Sequence, residues 1–248
     1  MAHQFSVSPD FTPDHLAGWF IFNTWLQKTL KMPVHFQLYD DFHSQREAIR
    51  SDQVDLIYAN PYDAAMLVRE KNFRALVKPA GKSDESVIAV SAESPFQRVE
   101  DLPAGIRLAT TEDPDVHMMG MIMLEPANLD AAKIETKLCD SYVLVAKELL
   151  KNTSDAGIFL LEAFDDLSSF IRNQLRILVT SQIQVVNHSL MVGPRLVGQY
   201  DLLLASLLEM SSCAKGQGVL QSLKIAHWEK VEEEEMEFMI DLMDTLIS

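Results

Sequence analysis

Residues 55–67 read DLIYANPYDAAML, and no other stretch limits the fold as much. A short apolar run, Leu56-Ile57-Tyr58, meets Asn60-Pro61, and a helical pattern follows at once. Asn60 can cap a helix through its side-chain oxygen. Pro61 suits the first helical position, where its missing N–H costs nothing. The chain thus turns from strand to helix within about two residues. In open α/β sheets such turns sit at the carboxyl ends of strands, in front of which ligands bind.

The same alternation runs along the chain. FSVSP (5–9) reads as a first strand. Thr12-Pro13-Asp14 then caps a helix that carries Leu16, Trp19, Phe20, Asn23, Trp25 and Leu26. VHFQLY (34–39) alternates with period two and reads as a second strand. Ser44-Gln45-Arg46-Glu47 is a capping box that opens a short helix. Strands at 55–59 and at Phe73–Pro79 flank the helix opened by Asn60. GKSD (81–84) interrupts the series, and SVIAVSAES (86–94) is a long strand candidate. A second series follows: strands at 106–111, 133–139, 155–161 and 176–181, helices at 113–124, 141–152 and 163–174. After a second long extended run, 183–193, everything beyond Pro194 reads as helix.

These patterns predict an α/β chain of two lobes, each with a mainly parallel sheet and crossover helices. Two extended stretches, about 85–92 and 183–192, join the lobes as hinge strands. The first lobe is then discontinuous, 1–83 plus 185–248, and the second is 84–184. A cleft between two lobes is a preferred place for a small ligand. With 248 residues, 48% of them hydrophobic, the chain can fill such cores.

The net charge of −15 argues against nucleic acid and against anionic membranes, since phosphate contacts need clustered Lys and Arg. No apolar run approaches the ~20 residues of a membrane span, so direct membrane insertion is not expected. If Met1 is the native start, the expected compartment is the cytoplasm. The alternative is the periplasm, after removal of a leader. Cys139 and Cys213 lack metal-like spacing and read as buried or half-buried thiols. No cofactor or metal motif is present, and neither G-x-S-x-G, HExxH nor a P-loop occurs. The methionines at 118, 119, 121 and 123 read as helix-core filler, not a soft-metal site.

Taken in order, several phrases resemble the PhnD-like branch of type II periplasmic binding proteins, which capture phosphate, phosphite or phosphonates in transporters. These phrases are Ser8-Pro9 at the end of the first strand, the turn Tyr39-Asp40-Asp41-Phe42, QREAIRSDQVDLIYANPYDAAML, SAESPFQRVEDLPAGIRLA, SDAGIFLLEAFD and SQIQVVNHSLMVGP. The resemblance implies a two-lobed solute-binding protein that closes on a small ligand. Its partner would be a membrane permease or a sensor protein. It also implies a Ser/Thr-Ser-Gly-like oxyanion cradle after the first strand of the second lobe. Here that segment is TTEDPDVHMMG: Thr110 and Thr111 remain, while Glu112, Asp113 and Asp115 add negative charge. Ser83-Asp84-Glu85-Ser86 stands where the family has a hinge Tyr. A ligand other than a simple phosphonate is expected on this ground.

The candidate ligand contacts are therefore Ser8, Pro9, Asn60, Pro61 and Tyr62 at strand ends, with Tyr39 and Phe42 as walls. Asp84 and Glu85 stand at the hinge. Thr110, Thr111, His117 and Tyr142 follow in the second lobe, and His188 lies in the return crossing. No catalytic residue is proposed. Two other readings stay open: an enzyme on this fold acting on a small cofactor precursor, and an interaction module with a degenerate cleft, docking through its acidic C-terminal helix. That helix has Glu232–Glu235 on a solvated face and Met236, Phe238, Met239, Leu242, Met243 and Leu246 behind it.

Overall fold

The computed structural model describes residues 3–9 and 13–247, with side chains over 3–9 and 16–243. In chain order its elements are β1 (His3–Val7), α1 (Pro13–Leu30), β2 (Val34–Phe36), α2 (Phe42–Arg50), β3 (Leu56–Ala59), α3 (Pro61–Lys71), β4 (Arg74–Pro79), β5 (Ser86–Ser91), β6 (Ile106–Thr110), α4 (Pro114–Met123), β7 (Ile134–Leu138), α5 (Tyr142–Leu150), β8 (Ala156–Leu160), α6 (Leu161–Asp165), α7 (Ser169–Arg172), β9 (Leu175–Thr180), β10 (Ser189–Val192), α8 (Tyr200–Leu208), α9 (Ala214–Ser222), β11 (Trp228–Lys230) and α10 (Glu233–Ile247). Two compact units result. Unit 1 is Met1–Ser83 with Val185–Ser248, and unit 2 is Asp84–Gln184.

Unit 1 holds one sheet in the order β11-β4-β10-β3-β1-β2. Its strands are apolar on both faces because helices cover both. β3 shows the period-two division. Leu56 and Tyr58 join a core with Phe5, Trp19, Phe22 and Leu203, whereas Ile57 and Ala59 join a second core with Ile49, Leu67, Met236 and Met239. Tyr58 lies between Trp19 and His188, with ring centroids 4.7 and 5.3 Å away. Unit 2 holds a sheet in the order β7-β6-β8-β5-β9. Its single core gathers Val116 and Met119 of α4, Val145 and Leu149 of α5, and Ile158 and Phe159 of β8. Gly120 lets α4 lie close on β8: a Cβ there would stand 2.4 Å from Ile158 Cδ1.

The two sheets share a strand plan that the sequence does not reveal as a repeat. In each, three parallel strands (β2-β1-β3, β7-β6-β8) are followed by an antiparallel one (β10, β5) and an outer one (β4, β9). The sheets are therefore mixed, with β5 and β10 running against the strands on either side. β5 and β10 are entered from the other unit instead of through a crossover helix, so nothing holds them to the parallel direction.

Other differences from the sequence reading are local. The strand expected over 34–39 stops at Phe36. Asp41 caps α2 by accepting from Ser44 N–H at 2.6 Å, three residues before the expected box, and Glu47 pairs with Arg50 at 2.8 Å. The helix expected over 163–174 is broken into α6 and α7, since Leu167 is buried and Ser168 caps a new start. Only Ser189–Val192 of the second long run is strand. β11 interrupts the helical C-terminal region and pairs antiparallel with β4. The Thr12 cap and the side chain of Leu246 lie outside the described residues. In α10, Met236, Met239 and Met243 are buried, but Phe238 is exposed. Cys213 is exposed as well, against the expectation of a half-buried thiol, because it caps α9 at the surface and accepts from Gly216 N–H.

Candidate functional site

Topology marks one crevice in each sheet. In unit 1 the chain steps from β1 to β2 on one side and returns past β1 to β3 on the other. The carboxyl ends of β1 and β3 therefore open onto a gap that no connection crosses. Ser8 and Pro9 follow β1, and Asn60 follows β3. Ser8 N–H donates to Tyr58 C=O at 2.9 Å, which fixes the β1 end against β3.

Asn60, fully buried, is the centre of this cluster. Its Oδ1 accepts from Asp63 N–H at 2.7 Å and caps α3, with Pro61 at the first helical position. The amide nitrogen is thereby turned toward Ser8 Oγ (3.2 Å) and Asp63 Oδ2 (3.1 Å). Asp63, also fully buried, receives Arg46 through two nitrogens at 2.6 and 3.3 Å. The Arg46 guanidinium lies over the rings of Phe42 (5.1 Å) and Tyr62 (4.9 Å). Gln45 reaches across from α2 and donates to Ser6 Oγ and to Val7 C=O, the last carbonyl of β1. Ser8, Asn60, Pro61, Phe42 and Tyr62 are thus brought together. Gln45, Arg46 and Asp63, which sequence reasoning missed, hold them in place. Tyr39 is half-buried against the α2–α3 core, and burial pushes its phenol pKa up. Pro9 is half-buried.

Unit 2 repeats the arrangement at the carboxyl ends of β6 and β8. Thr110, fully buried, and Thr111 close β6. Asp113 N–H donates to Thr111 Oγ1 at 3.4 Å. Asp113 caps α4, with Oδ1 accepting from Val116 N–H at 3.4 Å, and its Oδ2 accepts from the Tyr142 hydroxyl at 2.8 Å. Tyr142 opens α5, which Ser141 caps. His117 lies in the first turn of α4. Its Nδ1 is buried without a hydrogen-bond partner, and burial pushes the imidazole pKa below its ordinary value. Thr111, Tyr142 and, through its backbone N–H, His117 therefore meet at Asp113, and Thr110 precedes Thr111 at the end of β6.

Glu85 is held by three donors of its own unit. Its carboxylate accepts from Ile183 N–H (3.1 Å), Gln184 N–H (2.8 Å) and the Ser181 hydroxyl. It therefore fastens the start of β5, where the chain enters unit 2, to the segment after β9, where it leaves. Asp84, half-buried, precedes it. His188, buried in unit 1, is stacked on Tyr58 and directly precedes β10, whose Ser189 pairs with Ala59 at the carboxyl end of β3.

A family model described as "ABC transporter, phosphonate, periplasmic substrate-binding protein" matches residues 5–236. The chain belongs to this family. Solved structures agree in fold. PhnD1 from Prochlorococcus marinus, in complex with methylphosphonate, superposes with a TM-score of 0.85 at 14% identity, over 99% of this chain and 98% of that one. A binding-protein component of an ABC phosphonate transporter from Pseudomonas aeruginosa gives 0.81 at 15% identity, over 100% and 89%. The periplasmic aliphatic sulphonate-binding protein SsuA from Escherichia coli gives 0.71 at 13%, over 99% and 91%. At such identities these likenesses speak for the two-lobed fold of the phosphonate-binding family and for nothing finer. No curated protein matches the sequence. The family is periplasmic by its description, which fits the second compartment left open above, and the cytoplasmic expectation finds no support. Among the described residues, no helix is long and apolar enough to cross a membrane.

Proposed function

We propose that the protein is the solute-capturing component of an ABC transporter, binding one small molecule through the strand-end turns of both units. Ser8 and Asn60 contribute from unit 1, and the Thr110–Thr111 turn with Tyr142 and His117 from unit 2. Binding favours a closed arrangement that a membrane permease recognises, because a ligand shifts the equilibrium toward the state in which it makes more contacts. The observation that carries this reading is the Asn60–Ser8 hydrogen bond. It joins the two strand ends that the sheet order leaves open as a crevice. The family membership and the methylphosphonate complex of the Prochlorococcus protein support it.

The test is a thermal-shift screen of the purified protein against phosphate, phosphonates, sulfonates, amino acids, amines and nucleosides. A solute at about 100 times its dissociation constant adds about 2.7 kcal/mol and raises the melting temperature visibly. Ser8→Ala should weaken the responding solute by about tenfold while leaving the fold intact. A well-folded protein that responds to no solute, or a response that Ser8→Ala leaves unchanged, would refute the proposal.

A further inference from the structure

We propose that Gln45 is a solute contact of unit 1, and that through it the strand-end crevice receives an uncharged hydroxyl. This rests on the solute-binding reading above and narrows it to one group at one end of the solute.

Four polar residues are buried at the carboxyl ends of β1 and β3: Ser6, Gln45 and Asn60 are 0% exposed, and Ser8 is 1% exposed. Ser6 and Ser8 stand two positions apart, so an extended chain turns both side chains to one face. Gln45 reaches Ser6 from α2, and Asn60 reaches Ser8 from the start of α3. The two amides can be followed atom by atom. The Asn60 oxygen accepts from Asp63 N–H, and its nitrogen donates to Ser8 Oγ and Asp63 Oδ2. The Gln45 nitrogen donates to Ser6 Oγ at 2.9 Å and to the Val7 carbonyl at 2.7 Å. The Gln45 oxygen has no partner, and it is shielded from bulk water. Val7 fixes which atom is which. A carbonyl only accepts, so the amide atom facing it is the nitrogen. The oxygen and nitrogen of one amide lie about 2.3 Å apart, which puts Oε1 within about 5 Å of the last carbonyl of β1, where the crevice opens.

A buried acceptor without a donor is costly, and this one calls for a donor from outside the chain. What arrives must donate, and it meets no charge in this row of two hydroxyls and two amides. The acid beside them, Asp63, is paired with Arg46. An ammonium would give up its water for a neutral acceptor, and a carboxylate or a dianionic phosphonate has no proton to offer. A hydroxyl fits. It donates to Gln45 and accepts from Ser8, whose Oγ takes the Asn60 N–H and keeps its own hydrogen to give. Away from water, a solute without that hydroxyl leaves the acceptor unpaired, so the site discriminates strongly.

The experiment is isothermal titration of the full chain, wild type and Gln45→Met, at neutral pH. The probes are 2-hydroxyethylphosphonate, 2-hydroxyethanesulfonate and 2-hydroxyethylammonium, each paired with its O-methyl ether. The pairs differ from one another in charge, and the members of a pair differ in the donor. In at least one pair the wild type should bind the hydroxyl compound at least about tenfold more tightly than the ether, and Gln45→Met should bind both alike. Circular dichroism verifies that the variant is folded, and the comparison on the wild type stands without it. A wild type that binds a pair without discriminating overturns the proposal, and this is the result that a trapped water on Gln45 would give. A folded Gln45→Met that keeps the discrimination overturns it too. If none of these probes binds, the solute that responds in the thermal-shift panel is titrated into both proteins. A hydroxyl-bearing solute that loses about tenfold in Gln45→Met upholds the assignment. Equal affinities, or a solute without a hydroxyl, remove it and leave solute capture standing. Solute capture itself fails, and this proposal with it, when the wild type responds to no compound.

Discussion

Replacing Glu85 tests the division of labour most sharply. Glu85 is 7% exposed, and its two oxygens take three donors from residues 96 to 99 positions later. A hydrogen bond to a charged group is worth about 1.5–3 kcal/mol, and an orphaned buried donor costs a similar amount. In Glu85→Ala the exposed Gln184 can hand its N–H to water, whereas the Ile183 N–H and the buried Ser181 hydroxyl are less easily satisfied. The loss counted over those two donors is about 3–6 kcal/mol. Glu85→Gln keeps one acceptor but turns an NH₂ toward an N–H, and should lose about half as much.

Trp19, Trp25 and Trp228 all belong to unit 1, so two probes can be followed during urea unfolding. Tryptophan emission follows unit 1, and far-UV circular dichroism follows both units. The dichroism midpoint of Glu85→Ala should fall, by more than that of the tryptophan signal. A loss below about 1 kcal/mol would show that the carboxylate is not holding unit 2 together. If solute binding were abolished at unchanged stability, Glu85 would be a ligand residue instead.

Arg46→Met leaves Asp63 buried without its cation. It should cost about 3 kcal/mol in urea unfolding, with Arg46→Lys restoring only part because an ammonium can neither bridge both oxygens nor lie flat on Phe42 and Tyr62. Burial holds the His117 pKa below its unfolded value, so below about pH 6.5 the unfolded chain takes a proton that the folded one refuses. Stability should therefore drop as pH falls through that range, and His117→Gln should flatten the difference in urea midpoint between neutral and mildly acidic buffer. Gly120→Ala drives a methyl into Ile158 and should lower stability by about 1–3 kcal/mol, read as a lower melting temperature.

What the sequence made legible was local. Asn60-Pro61, Asp113-Pro114 and Ser141 start helices by chemistry confined to four residues, and each cap stands where its pattern placed it. The alternation of strands and helices, and with it the α/β class, follows from the same short-range periodicity. What the sequence hid depends on distance along the chain. The partners Arg46–Asp63, Asp113–Tyr142 and Glu85–Gln184 are 17, 29 and 99 positions apart, and no spacing rule joins them. Strand direction was equally hidden, because β10 finds its place between β3 and β4 only through tertiary pairing. β11 is three residues long, too short for its alternation to stand out. In the candidate site, the strand-end residues were visible as ends, and the side chains that fix them were not.

The position of β10 has a consequence for the order in which the molecule can be assembled. In unit 1 it separates β3 from β4, yet it is synthesised after the whole of unit 2. An emerging chain therefore completes every strand of unit 2 while β3 and β4 of unit 1 still lack their shared neighbour. Facing backbone edges of β3 and β4 stay open over that interval, and an unpaired edge is a template for any other strand nearby. Unit 2 is free to fold first, and unit 1 must wait for Val185–Ser248.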